Sequence, residues 1–319
     1  MFERSHVGSA HWERQTIQKV LLEHITEQRR ARRWSIFFKL VTLSIFIFFM
    51  YWIFSSSSNK DITTPVLTKA HTALIDVHGE ISVDQEASAS RIRSALKSAF
   101  ENRNVKAVVL RINSPGGSPV QARQVFNEIL YLKSKYPGIK VYSAIEDVGA
   151  SAAYLIAAAS DAIYADKTSL VGSIGVRMDS FGFVDAMQKV GVERRLYAAG
   201  KHKTILDPFS PRNPEDDAFI KQQLDELHQI FIANVRQGRG NRLKDNPEIF
   251  SGLFWIGEDA LKLGLIDGYG DAQYIAREIV KAEDLVDYTP ATGILDKLTT
   301  RLGASVTKTL LTTHFLRLF

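Results

Sequence analysis

Three short motifs carry residues whose types and spacing suit acyl transfer. A Ser-Pro-Gly-Gly turn at 114–117 follows the apolar run 107–112, Ser151 lies between two apolar stretches, and Lys203 ends a Gly-Lys-His-Lys sequence. Paired glycines let backbone N–H groups point at an approaching acyl oxygen. A serine at the start of a helix is well placed as a nucleophile, and a lysine that has lost hydration can accept its proton. Together the motifs predict an oxyanion site, a nucleophile and a base.

Each motif also has an interpretation without chemistry. The Pro-Gly pair suits a plain turn before a helix, Ser151 suits an N-cap, and most lysines are simply solvated. Two histidines compete with Lys203 as the base, because His78 and His202 lie close to the predicted site loops. Neither is accompanied in the sequence by an obvious carboxylate to orient its ring, as a Ser-His-Asp triad requires. The residue types alone therefore leave the identity of the base open.

From about residue 72 to residue 279 the chain resembles the signal peptide peptidase A family, which is peptidase family S49. In that family the nucleophilic serine follows a small-residue turn, as in Gly149-Ala150-Ser151 here, and a lysine base ends a Gly-x-x-Lys element further along the chain. The resemblance implies that Ser151 is the nucleophile and that Lys203, rather than Lys201, is the general base. It implies neither a cofactor nor a metal ion.

The same resemblance assigns further site residues. The turn at 114–117 matches the family's oxyanion loop, which implies that the backbones of Gly116 and Gly117 hold the oxyanion. Residues 171–176 match its substrate-groove strand, where Ser173 would hold the lysine amine towards the nucleophile. A bound peptide would pair with this strand through main-chain hydrogen bonds. The implied substrate-binding residues on the strand are Gly172, Ile174 and Gly175.

One departure from the family pattern directly follows the predicted nucleophile. The family commonly has two glycines after its serine, whereas this chain has Ala152 and Ala153. Alanine keeps the backbone N–H but loses freedom at positive φ and fills space beside the backbone. We expect this difference to change the range of substrates more than the activity.

The composition restricts both the fold and the chemistry. With 319 residues, of which 45% are hydrophobic and 24% charged, the chain can bury a sizeable core, and one main domain with extensions is expected. The absence of cysteine excludes disulfides, thiolate zinc sites and cysteine nucleophiles. Most of the net charge of +5 belongs to residues 1–39, which carry eight Lys or Arg against four Glu. The charge therefore gives no support for nucleic-acid binding.

An apolar segment near the N-terminus predicts a membrane anchor. Residues 34–54 contain Lys39 as their only charge and are long enough to cross the hydrocarbon core as one helix. Four arginines within 29–33 predict a cytoplasmic N-terminal segment over 1–33, and a domain on the periplasmic or outer side of the cell membrane. A cleavable signal peptide and a buried core helix are the alternatives.

Strand-like and helix-like stretches alternate after a polar linker at 55–71. This alternation predicts an α/β fold with a mainly parallel sheet flanked by helices, and site loops at the C-terminal ends of strands. The resemblance implies the ClpP/crotonase-like fold over a peptidase domain at 72–288. The strand-like stretches are 73–77, 107–112, 141–145 and 194–197, and the helix-like ones are 87–102, 119–136 and 214–238.

Two regions suggest contacts beyond a single domain. The helix predicted at 214–238 has an apolar stripe that suits the core or a subunit interface. The tail at 289–319 mixes spaced leucines with basic residues, which suits a membrane surface, a helix packed on the domain, or a disordered end. The resemblance also implies a homo-oligomeric ring in which a neighbouring subunit supplies the lysine, so that a monomer would be inactive.

These observations favour a membrane-anchored serine endopeptidase with a Ser-Lys dyad that cleaves small apolar peptides, such as released signal peptides. Two other classes of protein stay open. A crotonase-fold enzyme acting on acyl-CoA would share the paired glycines and the sheet but would need no Ser-Lys pair. A non-catalytic, membrane-tethered scaffold on a degenerate peptidase fold is the other, and the alanines after Ser151 are the feature that favours it.

Overall fold

The chain forms two units, Met1–Val66 and Leu67–Phe319. The structure, a computed structural model, describes residue 19 and residues 29–30, 32–51 and 69–291. In the first unit, helix α1 Arg32–Tyr51 has 20 residues and is long and apolar enough to cross a membrane. The end of the predicted anchor at 52–54, the linker up to residue 68 and the tail from residue 292 lie outside the described residues.

The second unit is built on one eight-stranded sheet. Neighbouring strands follow the order β6-β5-β3-β2-β1-β8, while β4 pairs with both β3 and β7. Every pair is parallel except β5 with β6. The strands are β1 His71–His78, β2 Val105–Ser114, β3 Lys140–Ala150, β4 Ala162–Ala165, β5 Leu170–Gly172, β6 Phe254–Ile256, β7 Gly268–Tyr269 and β8 Leu285–Asp287. The predicted α/β fold with a mainly parallel sheet is confirmed.

The helices of this unit connect the strands. They are α2 Ala89–Glu101, α3 Pro119–Lys135, α4 Ala152–Ala158, α5 Val184–Lys189, α6 Pro214–Arg239, α7 Gly257–Lys262 and α8 Ala272–Tyr274, which continues as a π-helical turn over Ile275–Val280. Short 3₁₀ turns cover Gly240–Arg242 and Pro247–Phe250. The long helices α3 and α6 both begin with proline, whose fixed φ suits the first helical position, and both have a side-chain cap at the preceding residue.

The two faces of the sheet bury cores of very different size. Along β1, Ala73, Ile75 and Val77 point into the large core that α2, α3 and α4 cover. Leu74 points to the other face, where a small cluster forms around Ala272 and Ile275. This alternation follows from the period of two in a strand. The large core holds the elements that begin after β2 and β3, and therefore positions the loops at their ends.

Two of the predicted strands differ in the structure. The strand predicted over 171–176 ends at Gly172, because φ is +102° at Gly172 and +51° at Ser173, which takes the chain out of the extended region. Residues 194–197 form no strand. Among the described strands, none lies beside these four residues to accept their backbone hydrogen bonds.

Residues 177–213 form an arm that leaves the sheet after β5 and returns at α6. The arm is described throughout, and it contains one short helix, α5, and no buried residue. Its internal contacts include a stacked pair of rings, Phe183 and Phe209, whose centroids lie 5.4 Å apart, and a hydrogen bond from the Phe183 N–H to the Pro208 carbonyl at 2.7 Å. The arm therefore has local order without a core of its own.

Candidate active site

Ser151 lies in the turn between β3 and α4 with φ 54° and ψ −124°. Few residues other than glycine adopt this conformation, and such strain concentrates at functional sites. The Ser151 N–H donates to the Gly172 carbonyl at 2.8 Å, and the Ser151 carbonyl accepts from the Leu155 N–H at 3.0 Å. The Ser151 side chain makes no cap hydrogen bond to α4. These bonds hold the backbone of Ser151 in place, and its hydroxyl is not used for capping.

The paired glycines after β2 lie so close to neighbouring atoms that a residue with a side chain would not fit at either position. A Cβ at Gly116 would lie 2.8 Å from the Ser151 Cβ and 2.9 Å from the Ala150 carbonyl oxygen. A Cβ at Gly117 would lie 2.3 Å from the Ile81 carbonyl oxygen. Both glycines also have positive φ, of +107° and +145°. Without side chains at these positions, Gly116 can pack against the serine turn and Gly117 against the Ile81 backbone.

Two backbone N–H groups near Ser151, those of Gly117 and Ala152, donate to no other group in the described part of the chain. The Gly116 N–H, which the sequence indicated as an oxyanion donor, instead donates to the Ser114 hydroxyl at 3.2 Å. Ala152 is the first residue of α4, where N–H groups have no partner within the helix. The sequence reasoning missed Ala152 as a donor, although its place directly after the predicted nucleophile is the usual signal.

These turns open onto a cavity of about 950 Å³. Five of the residues predicted from the sequence line it, namely Gly116, Gly117, Ser151, Ser173 and Gly175. An apolar wall consists of Leu155 from α4 together with Leu227, Ile230 and Phe231 from α6. Its charged lining residues, Glu80, Arg123 and Arg177, are all exposed. The cavity thus combines an apolar interior with a polar edge.

The backbone of the predicted substrate strand is already engaged. The Ser173 N–H donates to the Leu253 carbonyl at 2.8 Å, and the Gly175 N–H donates to the Ser173 carbonyl at 3.0 Å. Ile174 is fully buried, and neither it nor Gly172 lines the cavity. A peptide that paired along the whole segment would have to displace these bonds. Gly175 and Ser173 border the cavity, whereas Gly172 and Ile174 are buried in the protein interior.

His228 is a residue near the site that the sequence reasoning passed over. It is half-buried on α6, and its Nε2 lies 3.0 Å from the Ile174 carbonyl oxygen. The contact ties α6 to the segment that follows β5. The available signal was its position next to Leu227 on the apolar stripe of the predicted helix.

The structure leaves Lys203 outside the cavity of its own chain. Lys203 is exposed on the arm and does not line the cavity. Its two neighbours are engaged: the Lys201 Nζ donates to Glu215 at 2.7 and 2.8 Å, and His202 Nδ1 contacts Asp216. The Lys203 N–H donates to the Gly200 carbonyl at 3.1 Å, but the Lys203 Nζ makes no hydrogen bond or ion pair with the described residues.

These contacts correct one expectation about the histidines. His202 does have a carboxylate beside its ring, from Asp216, which lies too far along the sequence to be recognised there. His202 and His78 both lie outside the residues that line the cavity. Within the described ranges, no group of three or more His, Asp or Glu side chains is arranged to hold a metal ion.

A comparison with protein families identifies the chain. The model of peptidase family S49 matches residues 133–286, which run from the end of α3 to β8 and include Ser151, Ser173 and Lys203. This matched segment, just under half of the 319 residues, belongs to peptidase family S49. The match includes the turn with the strained serine, and the ClpP-like fold of this family agrees with the parallel sheet described above.

Relatives of this S49 chain include proteins with protease names. One, from Methanocaldococcus jannaschii, is 34% identical over 58% of this chain and 60% of its own length. Protease 4 of Haemophilus influenzae is 30% identical over 70% of this chain and 36% of its own length. A Brucella abortus protein named Na(+)/H(+) antiporter NhaA is 44% identical over 64% of this chain. The chain spans only 28% of that protein's length. Most of the protein that has the antiporter name is therefore not matched by this chain.

Proposed function

We propose that this chain is a membrane-anchored serine endopeptidase that cleaves small apolar peptides, such as released signal peptides. The observation that carries the proposal is the uncapped hydroxyl of Ser151, held on a strained turn at the edge of an apolar cavity. Membership of a peptidase family supports the reaction class. No feature of the described residues favours acyl-CoA chemistry over this reaction.

In the proposed mechanism, the Ser151 Oγ attacks the carbonyl carbon of the scissile peptide bond and Lys203 takes its proton. The N–H groups of Gly117 and Ala152 donate to the oxyanion that forms, because they are fixed and otherwise unpartnered. Lys203 then protonates the leaving amine, which breaks the C–N bond and leaves an acyl-enzyme. Water activated by the same lysine releases the product acid and restores Ser151.

We propose that the dyad forms between two copies of the chain. Within one chain Lys203 does not line the cavity that Ser151 borders. Lys201 and His202 dock the turn onto the acidic first turn of α6, which leaves the Lys203 amine free to reach another molecule. The arm also exposes large apolar side chains, with Phe181 77% and Tyr197 90% exposed, as expected of a surface that a second copy covers in a ring.

The position of Ser173 supports a role in orienting the lysine. Ser173 lines the cavity with Ser151, and φ of 51° holds it in the left-handed region. Its hydroxyl makes no hydrogen bond within the described residues, so it is available to accept one from an incoming ammonium group. We propose that it holds the Lys203 amine towards the nucleophile.

We propose an N-terminus in the cytoplasm and a peptidase domain outside the cell membrane, on the periplasmic side where one exists. Helix α1 is the candidate span, and the arginines that precede it support this orientation. Cysteine accessibility tests it, because the chain has no cysteine of its own. Ser90→Cys, in the peptidase domain, is expected to react in intact cells with a reagent that cannot cross membranes. Ser9→Cys, in the N-terminal segment, is expected to react only after lysis.

The test of the catalytic proposal uses the full chain in detergent micelles, a fluorogenic apolar peptide and a fluorophosphonate that labels reactive serines. Ser151→Ala is expected to lose labelling, and both Ser151→Ala and Lys203→Ala are expected to lose cleavage by about 1,000-fold or more. A mixture of the two variants, produced together so that their subunits co-assemble, should regain part of the cleavage, since some neighbouring copies then combine an intact serine with an intact lysine. Lys189→Ala, an exposed lysine on the same arm, is the matched control and should cleave as the wild type does.

Three results would count against the proposal. Full cleavage by Ser151→Ala would remove the nucleophile, and full cleavage by Lys203→Ala would remove the base. An inactive mixture of two inactive variants would place the dyad within one chain. Failure of the assembled wild type to cleave or to be labelled would favour the non-catalytic scaffold.

A further inference from the structure

One face of α6 turns four residues into the cavity. Leu227, Ile230, Phe231 and Asn234 follow one another at helical spacing, and all four line the cavity. The first three are apolar, so Asn234 is the one polar side chain that α6 contributes there. A polar group in this position costs stability unless it is hydrogen-bonded.

The amide nitrogen of Asn234 has no hydrogen-bond partner. Its Nδ2 is buried, and no atom of the described residues accepts from it. Buried amide groups are normally satisfied, so an unpartnered donor on the wall of a binding cavity points to a partner that arrives with the ligand. The charged residues of the cavity, Arg123, Arg177 and Glu80, are exposed, which leaves Asn234 as a neutral donor among apolar side chains.

Helix packing holds the backbone of Asn234 in place. One turn further along α6, a Cβ at Gly238 would lie 1.9 Å from the Ala158 carbonyl oxygen of α4. The two helix backbones are therefore in contact about 6 Å along the helix axis from Asn234. On α4, Leu155 lines the same cavity and Ser151 precedes the helix. Asn234 is thus mounted on a helix that packs directly against the one that begins after the nucleophile.

We propose that the Asn234 side chain turns its Nδ2 into the cavity when a peptide binds and donates a hydrogen bond to a carbonyl oxygen of that peptide, which makes Asn234 a substrate-binding residue of this cavity. The inference rests on the peptidase function proposed above. The carbonyl can come from the main chain of the peptide or from the side-chain amide of an Asn or Gln in it. A neutral acceptor fits this position, because a buried charge opposite an uncharged amide would lack a counterion.

The experiment compares wild type with Asn234→Leu, which is nearly isosteric and cannot hydrogen-bond, and with Asn234→Asp, which keeps the shape but has no donor when ionised. The full chain is assayed for kcat and KM on peptides that carry Leu or Asn in turn at each of the four positions before the scissile bond. Fluorophosphonate labelling reports Ser151 independently, since the probe offers no peptide carbonyl. Gln237→Leu replaces an exposed amide on α6 that does not line the cavity and is the matched control.

Both Asn234 variants are expected to label at the wild-type rate while kcat/KM falls about 10-fold to 100-fold, mainly through KM. A main-chain acceptor predicts the same fall for every peptide. A side-chain acceptor predicts a fall confined to peptides with Asn at one position, where wild type prefers Asn over Leu. Wild-type kcat/KM for Asn234→Leu on all peptides, or full retention by Asn234→Asp, would overturn the inference. A wild-type chain that neither labels nor cleaves would overturn the peptidase function first, and this inference with it.

Discussion

The turn that holds Ser151 and the arm that holds Lys203 are built in opposite ways. Ser151 lies between a central strand and a buried helix, with its N–H and carbonyl both hydrogen-bonded and Gly116 packed against it. The arm, residues 177–213, has no buried residue, and its apolar side chains face outwards. One half of the proposed dyad is therefore positioned by the core, and the other half by surface contacts.

The turn and the arm are therefore ordered by different interactions, although they are close in sequence. The core offsets the strain at Ser151 through its surrounding hydrogen bonds and packing. The arm meets the first turn of α6 through the exposed Lys201–Glu215 ion pair and the contact of His202 with Asp216, and an exposed ion pair contributes little by itself. In the oligomer proposed above, a second copy that covers the apolar side chains of the arm would supply the missing order and complete the site.

Breaking one ion pair in each region should give the largest contrast in stability. Arg239 at the end of α6 has a fully buried side chain that donates to the Gly264 carbonyl and to both oxygens of Asp267. Arg239→Met is expected to cost about 3–5 kcal/mol, because the Gly264 carbonyl loses its donor and the partly buried Asp267 carboxylate loses its closest cation. Arg195→Met removes an exposed pair with Glu193 and should cost less than about 1 kcal/mol. Urea unfolding of the full chain, followed by circular dichroism, measures both.

Equal losses in these two variants would mean that the arm is as firmly built as the core, and would remove the contrast. A neutral Arg239→Met would mean that the pair is replaced by solvent without cost.

A matched pair of glycines sharpens the same contrast. A Cβ at Gly238, where α6 meets α4, would lie 1.9 Å from the Ala158 carbonyl oxygen, whereas a Cβ at Gly182 in the arm would meet nothing within 4 Å. Gly238→Ala is expected to destabilise by about 1–3 kcal/mol, because backbone atoms must move apart. Gly182→Ala should change stability by less than about 1 kcal/mol, in the stabilising direction if at all. Thermal melting of both variants decides it, and a lower Tm for Gly182→Ala than for Gly238→Ala would be the contrary result.

The smallest expected effect is a local one, on the pH dependence of order in the arm. Hydrogen bonds from Arg194 and Ser210 lower the pKa of Asp207 to about 2. An unfolded aspartate titrates near pH ~4. The ionised carboxylate therefore favours the ordered arm above about pH 4, and this contribution is lost as the pH falls through about 2.

Hydrogen exchange across residues 194–210 measures this effect. Exchange is expected to rise as the pH falls from about 4 to about 2, after correction for the intrinsic rate, and Asp207→Asn should show faster exchange already at neutral pH. Protection that does not change in either case would mean that these hydrogen bonds do not hold the arm. Residues of β2, in the core, serve as the internal control.

Most regular elements of the fold could be predicted from the sequence, because each buries one face and therefore has a periodic apolar pattern. The apolar runs and amphipathic stretches predicted β1, β2, α2, α3 and α6 close to their observed bounds, whereas β3 continues five residues beyond the predicted 141–145. The strand-like pattern at 194–197 failed for a physical reason: β-propensity is realised only when a neighbouring strand supplies hydrogen bonds, and that neighbour cannot be read from four residues. Strand β5 ends at Gly172 because Ser173 has a positive φ. A serine in the sequence does not predict that conformation.

What the sequence determined by itself was the chemistry that the chain can offer: a serine after a small-residue turn, paired glycines after a strand, and no cysteine. Those features are local, and local spacing is enough to specify them. Only the tertiary structure decided that Gly116 donates to Ser114, that Gly117 and Ala152 present free N–H groups, and that Asn234 lines the cavity. Each of these depends on how strands and helices far apart in sequence pack together, and packing distances are not encoded in any one motif.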